Sequence, residues 1–467
     1  MTHRIYSILI AILASTVFAG CGFVDIDTPG MVNDERMYED EQGFRDALTG
    51  IYATMAKPSL YGNKLSFGFI DEIAQLYYND NEAAQTPLTK TYDLQYRDVD
   101  VRKQIDQIWE RAFFAVYSIN SMLKHIDTES FPNARYYKAE GLALRAMLHF
   151  DMLRLFGRNA NEASSLGIPY VTVAGNQPTE RLTVGECAER IVADLEEADA
   201  IMQNAADAER CNNVLYMNRF AVKALLARVC NWMGEKKKAA EYAQSVIDGK
   251  YKLAEEEEVL QLFMGYSAKS ECIWALNTTK AIFDVKQLFY PARSTSSCNM
   301  VRNNYREIFK TSTFTAVNND YRFQAYFTQT DWGRPITAFT KLYDKHFDEK
   351  QQWEKDRVPG INMIRLPEMY YILAECLYEK NPQGSLDALN TVITARGLQP
   401  LKLTDISTGE AFRRCLMDEI TKEYWGEGQI FFAHKHLQLP MNGLNGKYFA
   451  VSDETFVLPL PDSEIKD

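Results

Sequence analysis

Apolar residues at three- and four-residue steps dominate the chain. In "ARYYKAEGLALRAMLHFDMLRLFG", Ala139, Leu142, Ala146, Phe150 and Leu153 share one helical face. Leu144, Met147, Leu148, Met152 and Leu155 widen that face well beyond a single stripe. The spacing therefore predicts a helix over 134–157 packed on two sides, with Gly157 as its C-cap. "IDQIWERAFFAVYSINSMLKHI", from Ile105, predicts an amphipathic helix before it, and "LTVGECAERIVADLEEADAIM", from Leu182, another after it. In the latter, Thr183 and Glu186 have the spacing of a capping box.

Two later segments echo each other: "FAVKALLARVCNWMGEKKKAAEYAQSVIDGKY", from Phe220, and "RLPEMYYILAECLYEKNPQGSLDALNTVITARGL", from Arg365. Each reads as an apolar helix, a short turn and a second helix ending in Val-Ile near a glycine, Gly249 or Gly397. Alanines facing large side chains let paired helices approach closely. A helix-turn-helix of roughly 34 residues has the size of a tetratricopeptide repeat, and such pairs must stack to bury their apolar faces. The expected class is mainly α, built from tetratricopeptide-like helix pairs.

Two stretches break this pattern. Leu60 to Val99 scatters Tyr61, Tyr77, Tyr78, Tyr92 and Tyr96 among Asn, Gly and Thr. Asn277 to Gly360 is long, irregular and rich in Tyr, Phe, Arg and Asn. Long irregular loops in a compact domain are functional or disordered, and their aromatic content argues against disorder. They are the natural place for a binding surface on a helical scaffold. From them we expect Tyr77, Tyr78, Asn79, Tyr290, Arg293, Tyr326 and Trp332 to form the contact surface.

At the N-terminus, Arg4 precedes the apolar run "IYSILIAILASTVFAG", which is shorter than the roughly 20 residues of a membrane span. A basic start, a short apolar core and small residues at its end make a secretory signal peptide over residues 1–20. "FAGC" looks like the lipobox of bacterial lipoproteins, which would make Cys21 a lipid-bearing first residue. The net charge of -12 with no basic block disfavours nucleic acid and anionic lipid surfaces, both of which reward clustered Lys and Arg.

Apart from Cys21, the cysteines Cys187, Cys211, Cys230, Cys272, Cys298, Cys376 and Cys415 show no zinc-knuckle or CxxC spacing. A mostly reduced chain without metal or cofactor is expected, with Cys230 and Cys376 as small hydrophobes on helices. His434 and His436, two apart, point to different sides of a helix and make a poor metal pair. The "YYNDN" at Tyr77 and the "NND" at Asn318 offer oxygen ligands but lack an EF-hand's spacing, so polar turns are expected. Glu140, Arg145, Asp151 and Arg154 on the strongest helix should pair with neighbouring helices or reach solvent along their stems.

These landmarks, in order, resemble the SusD/RagB family of surface lipoproteins, which capture nutrients for an outer-membrane transporter. The resemblance rests on "CGFVDIDTP", "AEGLALRAMLHFDMLRLFG" followed by "GIPYVT", and "RLTVGECAERIVADLEEA". It continues through "NRFAVKALLARVCNWMGE", "ECIWAL", "IRLPEMYYILAECLYE", "LNTVITARGL" and "LPLPDSEI". It implies a SusD-like domain over 21–467, with a helical part to about 255 and a loop-bearing part from about 256. It also implies outer-membrane anchoring through Cys21, a glycan or oligosaccharide ligand, and a SusC-like TonB-dependent β-barrel as partner, with no bond broken. The family usually carries Arg and Asp where "EYWGEGQIFFAHKHL" has Gln429 and Ala433, which marks a divergent subfamily. Two other classes stay open on residues alone. One is a tetratricopeptide scaffold for protein segments. The other is a glycoside hydrolase, since 63 acidic residues leave room for a carboxylate pair although no nucleophile motif is present.

Overall fold

The computed structural model describes residues 34–78, 87–175, 177–205, 207, 209–260, 270–278, 288–289, 300–301, 305–310, 319–331, 335–342, 360–443 and 446–464. Its longer helices are α1 (Glu41–Met55), α2 (Val99–His125), α3 (Ala134–Phe156), α4 (Val184–Asn204), α5 (Arg219–Trp232) and α6 (Lys236–Ile247). They continue with α7 (Leu366–Leu377), α8 (Pro382–Ala395), α9 (Gly409–Tyr424) and α10 (Ile430–Leu437). From α1 to α8 each helix packs on the next, and α6 meets α7 although about 120 residues separate them. The two segments that echo each other in sequence are thus the hairpins α5–α6 and α7–α8, stacked side by side. The fold is mainly helical, as the periodicity predicts.

Local chemistry sets the helix starts. Thr183 accepts from the Glu186 amide while Glu186 accepts from the Thr183 amide, the predicted capping box. Asp40, Asp98, Asn218, Asn381 and Thr408 each accept an amide at the start of α1, α2, α5, α8 and α9. Helix α3 ends as expected, with the Gly157 amide bonded to the Leu153 carbonyl.

Helix α3 is the axis of the N-terminal part. Its side chains from Leu142 to Phe156 are all buried, so its charges must be matched inside. Arg145 grips Asp194 of α4 through two bonds of 2.7 and 2.8 Å, and Tyr170 donates to the same carboxylate at 2.5 Å. Glu140 takes two bonds from Arg210, at 2.9 and 3.0 Å, and one from Tyr52. Burial still pushes its carboxyl up to about 7. Asp151 accepts from Tyr61 at 2.6 Å and from Arg154. All four charges are paired within the protein, but only Arg145 pairs with a neighbouring helix as expected: Asp151 and Arg154 pair with each other along α3, and Glu140 pairs with Arg210 in a turn.

His149 is also fully buried on α3. Its Nε2 accepts from the Val171 amide at 3.0 Å, so the ring proton sits on Nδ1, 2.9 Å from the Arg145 carbonyl. Burial pulls its pKa down to about 3.

Strands are short and pair two by two, all antiparallel: β1 (Tyr77–Tyr78) with β5 (Met300–Val301), and β2 (Leu166–Pro169) with β3 (Arg181–Thr183). The others are β4 (Cys272–Asn277) with β8 (Gly360–Arg365), β6 (Phe327–Asp331) with β7 (Pro335–Phe339), and β9 (Met441–Asn442) with β10 (Tyr448–Phe449). The β4–β8 pair stands at the base of the long irregular segment, with Asn277 opposite Gly360. Among the described residues Cys187, Cys211, Cys230, Cys272, Cys376 and Cys415 are free thiols; Cys230 is buried and Cys376 half-buried, both on helices. Cys21, the expected signal peptide over 1–20 and Cys298 lie outside the described residues.

Candidate functional site

The two aromatic-rich stretches come together. Strand β1, in the middle of the first, pairs with β5 of the second, with Tyr77 opposite Val301 and Tyr78 opposite Met300. Behind this ladder sits a cluster of rings. Tyr77 meets Phe289 at 5.1 Å and Phe339 at 6.1 Å, and Phe289 meets Phe339 at 5.4 Å and Phe67 at 6.4 Å, all tilted or edge-on. Trp425 closes it from the end of α9, edge-on to Phe327 at 5.3 Å. Tilted and edge-on rings at these separations add roughly 0.5–1.5 kcal/mol per pair beyond the area they bury.

The turn after α9, "WGEG", locks the cluster to both stretches. Gly426 has φ +81°, and a Cβ there would lie 2.5 Å from the Phe339 ring; Gly428 has φ +70°, and its Cβ would lie 2.3 Å from the Leu65 carbonyl oxygen. The Gly426 amide donates to Asp71 at 2.8 Å. Burial raises the Asp71 carboxyl well above the usual range.

Beneath the rings lies a set of buried charges. Arg365 bonds Glu271, Glu423 and Glu427; Arg396 bonds Glu271 and Glu423; Arg322 bonds Asp320, Glu419 and Glu423. Lys341 reaches Glu427 at 2.5 Å and the carbonyls of Glu423 and Trp425 at 2.7 and 3.0 Å. Burial lowers its ammonium to about 8, against the pull of Glu427. Lys422 joins Glu419 at 2.6 Å. Five cations thus face five anions within this set, and their charges sum to zero. Such an arrangement fixes where Arg322, on the helix Tyr321–Tyr326, and Lys341 sit relative to α9. Every charged side chain in this set has an oppositely charged partner within it.

The structure places two of the expected contact residues elsewhere. Tyr77 and Tyr326 are 0 % exposed. A fully enclosed ring presents no face to a ligand: Tyr77 belongs to the packed ring cluster, and the Tyr326 ring lies against the Lys341 ammonium at 4.2 Å. Tyr78 contributes its backbone to β1. Asn79, Tyr290, Arg293 and Trp332 lie outside the described residues. In sequence, however, each directly follows or lies close to a described element: Asn79 follows β1, Tyr290 and Arg293 come after Phe289, and Trp332 follows β6.

Five contributors were missed by sequence reasoning: Phe67, Phe289, Phe327, Phe339 and the Trp425 turn. The pair of glycines spaced two apart after a tryptophan was the available signal for that turn. His434 bonds the Leu439 carbonyl and His436 bonds Glu375, so the two histidines serve separate structural contacts. Asp320 of "NND" caps the helix Tyr321–Tyr326 and pairs with Arg322. Among the described residues, no group of three or more His, Cys, Asp or Glu is placed to hold a metal ion. Nor is any described helix long and apolar enough to cross a membrane.

Known proteins resemble the chain along nearly all of its length. A SusD-like family model described as starch-binding associating with outer membrane matches residues 33–230, and the model of the SusD family matches 295–433. A SusD-like protein from Formosa agariphila is 23% identical over 513 residues, covering 98% of this chain and 97% of its own. Among solved structures, a SusD superfamily protein from Bacteroides thetaiotaomicron aligns with TM-score 0.73 at 21% identity, over 91% of this chain and 97% of that one. A SusD-like carbohydrate-binding protein from Bacteroides vulgatus aligns with TM-score 0.74 at 17% identity, over 91% and 95% of the two chains.

Proposed function

Because the chain belongs to the SusD/RagB family, we propose that it is a non-catalytic carbohydrate-binding protein of the cell surface. In this reading it captures an oligosaccharide and passes it to a SusC-like TonB-dependent β-barrel. Cys21 carries the lipid that holds it at the outer membrane.

The observation that supports this reading is the β1–β5 pairing over a packed aromatic floor. It brings the two stretches with the binding composition to one place and gives their loops a rigid base. The chemistry suits sugars: C–H faces rest on aromatic rings, while Asn and Arg side chains bond the hydroxyls. With Tyr77 and Tyr326 enclosed, the contact residues proposed here are Tyr78, Asn79, Tyr290, Arg293 and Trp332.

Affinity electrophoresis and calorimetry against a panel of glycans test the reading. One glycan class should bind, and Trp332→Ala should weaken it at least tenfold while the helical circular dichroism is unchanged. Conversion of the glycan to product would overturn the non-catalytic reading. Unchanged affinity in both Trp332→Ala and Tyr290→Ala would remove the loops from the site.

A further inference from the structure

The last described residues, 452–464, run past the start of α2 and the end of α3 and lie against α10. They make two single helical turns, Asp453–Phe456 and Asp462–Glu464, joined by irregular backbone. Phe456, Leu458 and Pro461 are buried, and the Phe456 ring meets Phe431 of α10 at 5.4 Å. Among the described residues one backbone hydrogen bond joins this segment to the scaffold, from the Leu458 amide to the Leu155 carbonyl at 2.9 Å. Few apolar anchors and one such bond are little to set against the entropy of ordering the segment. Side-chain contacts must therefore decide whether it stays in place.

Those contacts run one way: the scaffold donates and the segment accepts. Arg102 of α2 bonds the Leu460 carbonyl and, at 2.7 Å, Asp462. Arg158, just beyond α3, reaches Asp453 at 2.6 Å. The innermost donor is Lys435 of α10, which is 2 % exposed. Its ammonium bonds the carbonyls of Arg154 and Gly157, each at 2.6 Å, and of Phe456 at 2.8 Å. All three of its N–H groups are thus given to backbone oxygens, and among the described residues no carboxylate pairs with it. The acids around it, Asp453 and Glu162, are held by Arg158. Two of its acceptors lie at the C-terminal end of α3, where a cation also suits the helix dipole. The third belongs to the segment, so Lys435 ties the segment to α3 and α10 at one buried point.

Facing the segment is the turn Leu94–Arg97, near the end of the first aromatic-rich stretch. A cavity of about 470 Å³ lies between them, with Leu94, Gln95 and Arg97 on one side and Val457, Leu458 and Pro459 on the other. The Tyr96 hydroxyl crosses to the Thr455 carbonyl at 2.9 Å. The turn is strained: Leu94 has φ +54°, a conformation that an apolar residue with a Cβ rarely adopts. Such a conformation persists where its surroundings hold it. We propose that residues 452–464 form a strap that opens and closes as one unit, with Lys435 as its pin, and that the closed strap holds the strained turn Leu94–Arg97 in place. Opening releases Tyr96, lets the turn relax and loosens the stretch between β1 and α2 from its far end. Units held by so few anchors open locally, well below the cost of global unfolding. The device does not depend on glycan capture.

Hydrogen exchange on the chain from Gly22 onward tests this. The amides of Phe456, Val457 and Leu458 bond the carbonyls of Ser452, Asp453 and Leu155. In the wild type they should share one opening constant, at least a hundredfold larger than that of amides in the middle of α3. Lys435→Met should raise it at least tenfold, the scale of a lost charge-assisted hydrogen bond, and Tyr96→Phe about fivefold. In both variants the turn amides of Tyr96 and Asp98 should speed up with the strap, while α4 and α5 stay protected. A chain ending at Val451 should keep its helical circular dichroism and exchange the turn amides faster still. Strap amides that exchange no faster than α3, or a truncated chain that fails to fold, would overturn the separate unit. Strap exchange unchanged in Lys435→Met, or protection lost in α4 and α5 as well, would overturn the pin. Turn amides that stay slow in the truncated chain would overturn the hold on Leu94–Arg97.

Discussion

Glu423→Gln is the sharpest test of the buried charge network. The wild-type carboxylate accepts from Arg365 Nη1 at 2.7 Å, Arg396 Nη2 at 2.9 Å, Arg396 Nε at 3.1 Å and Arg322 Nη1 at 3.2 Å, all on 0 % exposed side chains. The amide keeps the shape but removes one of five anions, which leaves one uncompensated positive charge in the interior. It also turns an NH2 group toward guanidinium donors. Removing one partner of a buried pair costs about 3–5 kcal/mol, and the donor clash argues for the upper half of that range. With 467 residues at ~2.1 cal/mol/K each, the unfolding entropy is about 1 kcal/mol/K, so Tm should fall by about 4–5 °C if unfolding is one transition.

Scanning calorimetry and urea titration at pH 7 make the measurement. The control is Glu410→Gln, which breaks the exposed pair with Arg414 and should cost less than about 1 kcal/mol. The pH dependence carries a sign. Burial alone would raise the Glu423 carboxyl, but Arg396, Arg365 and Arg322 hold it well below the usual range. Its stabilisation is therefore complete above the unfolded value near 4.5 and is lost as pH falls through the lower folded value. A Tm within 1 °C of wild type would refute the reasoning, because it would mean the missing charge is made good by water or by proton loss from a neighbour.

Two further predictions concern single residues. His149 is held neutral with a folded pKa of about 3, below the unfolded 6.5, so its contribution is present above pH 6.5 and lost as pH falls toward 3. Between pH 7 and 4.5 the wild type should lose about 3 kcal/mol more than His149→Gln, and parallel urea curves for the two would dismiss this. Gly426→Ala must adopt φ +81° and press on Phe339, so it should destabilise by about 1–3 kcal/mol and weaken glycan binding; an unchanged Tm would show that the turn relaxes without cost.

The helical scaffold was legible because its signal is local. The periodicity of α3, the capping box at Thr183 and the echo between α5–α6 and α7–α8 each lie within a few turns of one chain segment. The site was legible only by region. Tyr77 and Tyr326 lie in irregular stretches rich in polar residues, yet their rings are enclosed, because composition does not say which way a side chain points from a two-residue strand or a short helix. The β1–β5 ladder joins residues more than 200 positions apart. Likewise Arg322, Arg365, Glu271 and Glu423 look like ordinary surface charges until the fold gathers them.

The β4–β8 pair gives the long segment between Asn277 and Gly360 a common doorway, since it leaves and re-enters the scaffold at opposed residues. A loop anchored in this way tolerates changes of length at little entropic expense, each doubling adding only about 0.6 kcal/mol. It could therefore be exchanged as a cassette to retarget the protein, were it not for what it carries inward. The segment brings Arg322, Lys341 and Asp320, a net +1. The scaffold brings Arg365, Arg396 and Lys422 against Glu271, Glu419, Glu423 and Glu427, a net -1. Neither half is electrically complete without the other. A replacement cassette must deliver one surplus positive charge at the same depth, so the interior acts as a lock that admits only matched insertions while leaving their outer loops free to diversify.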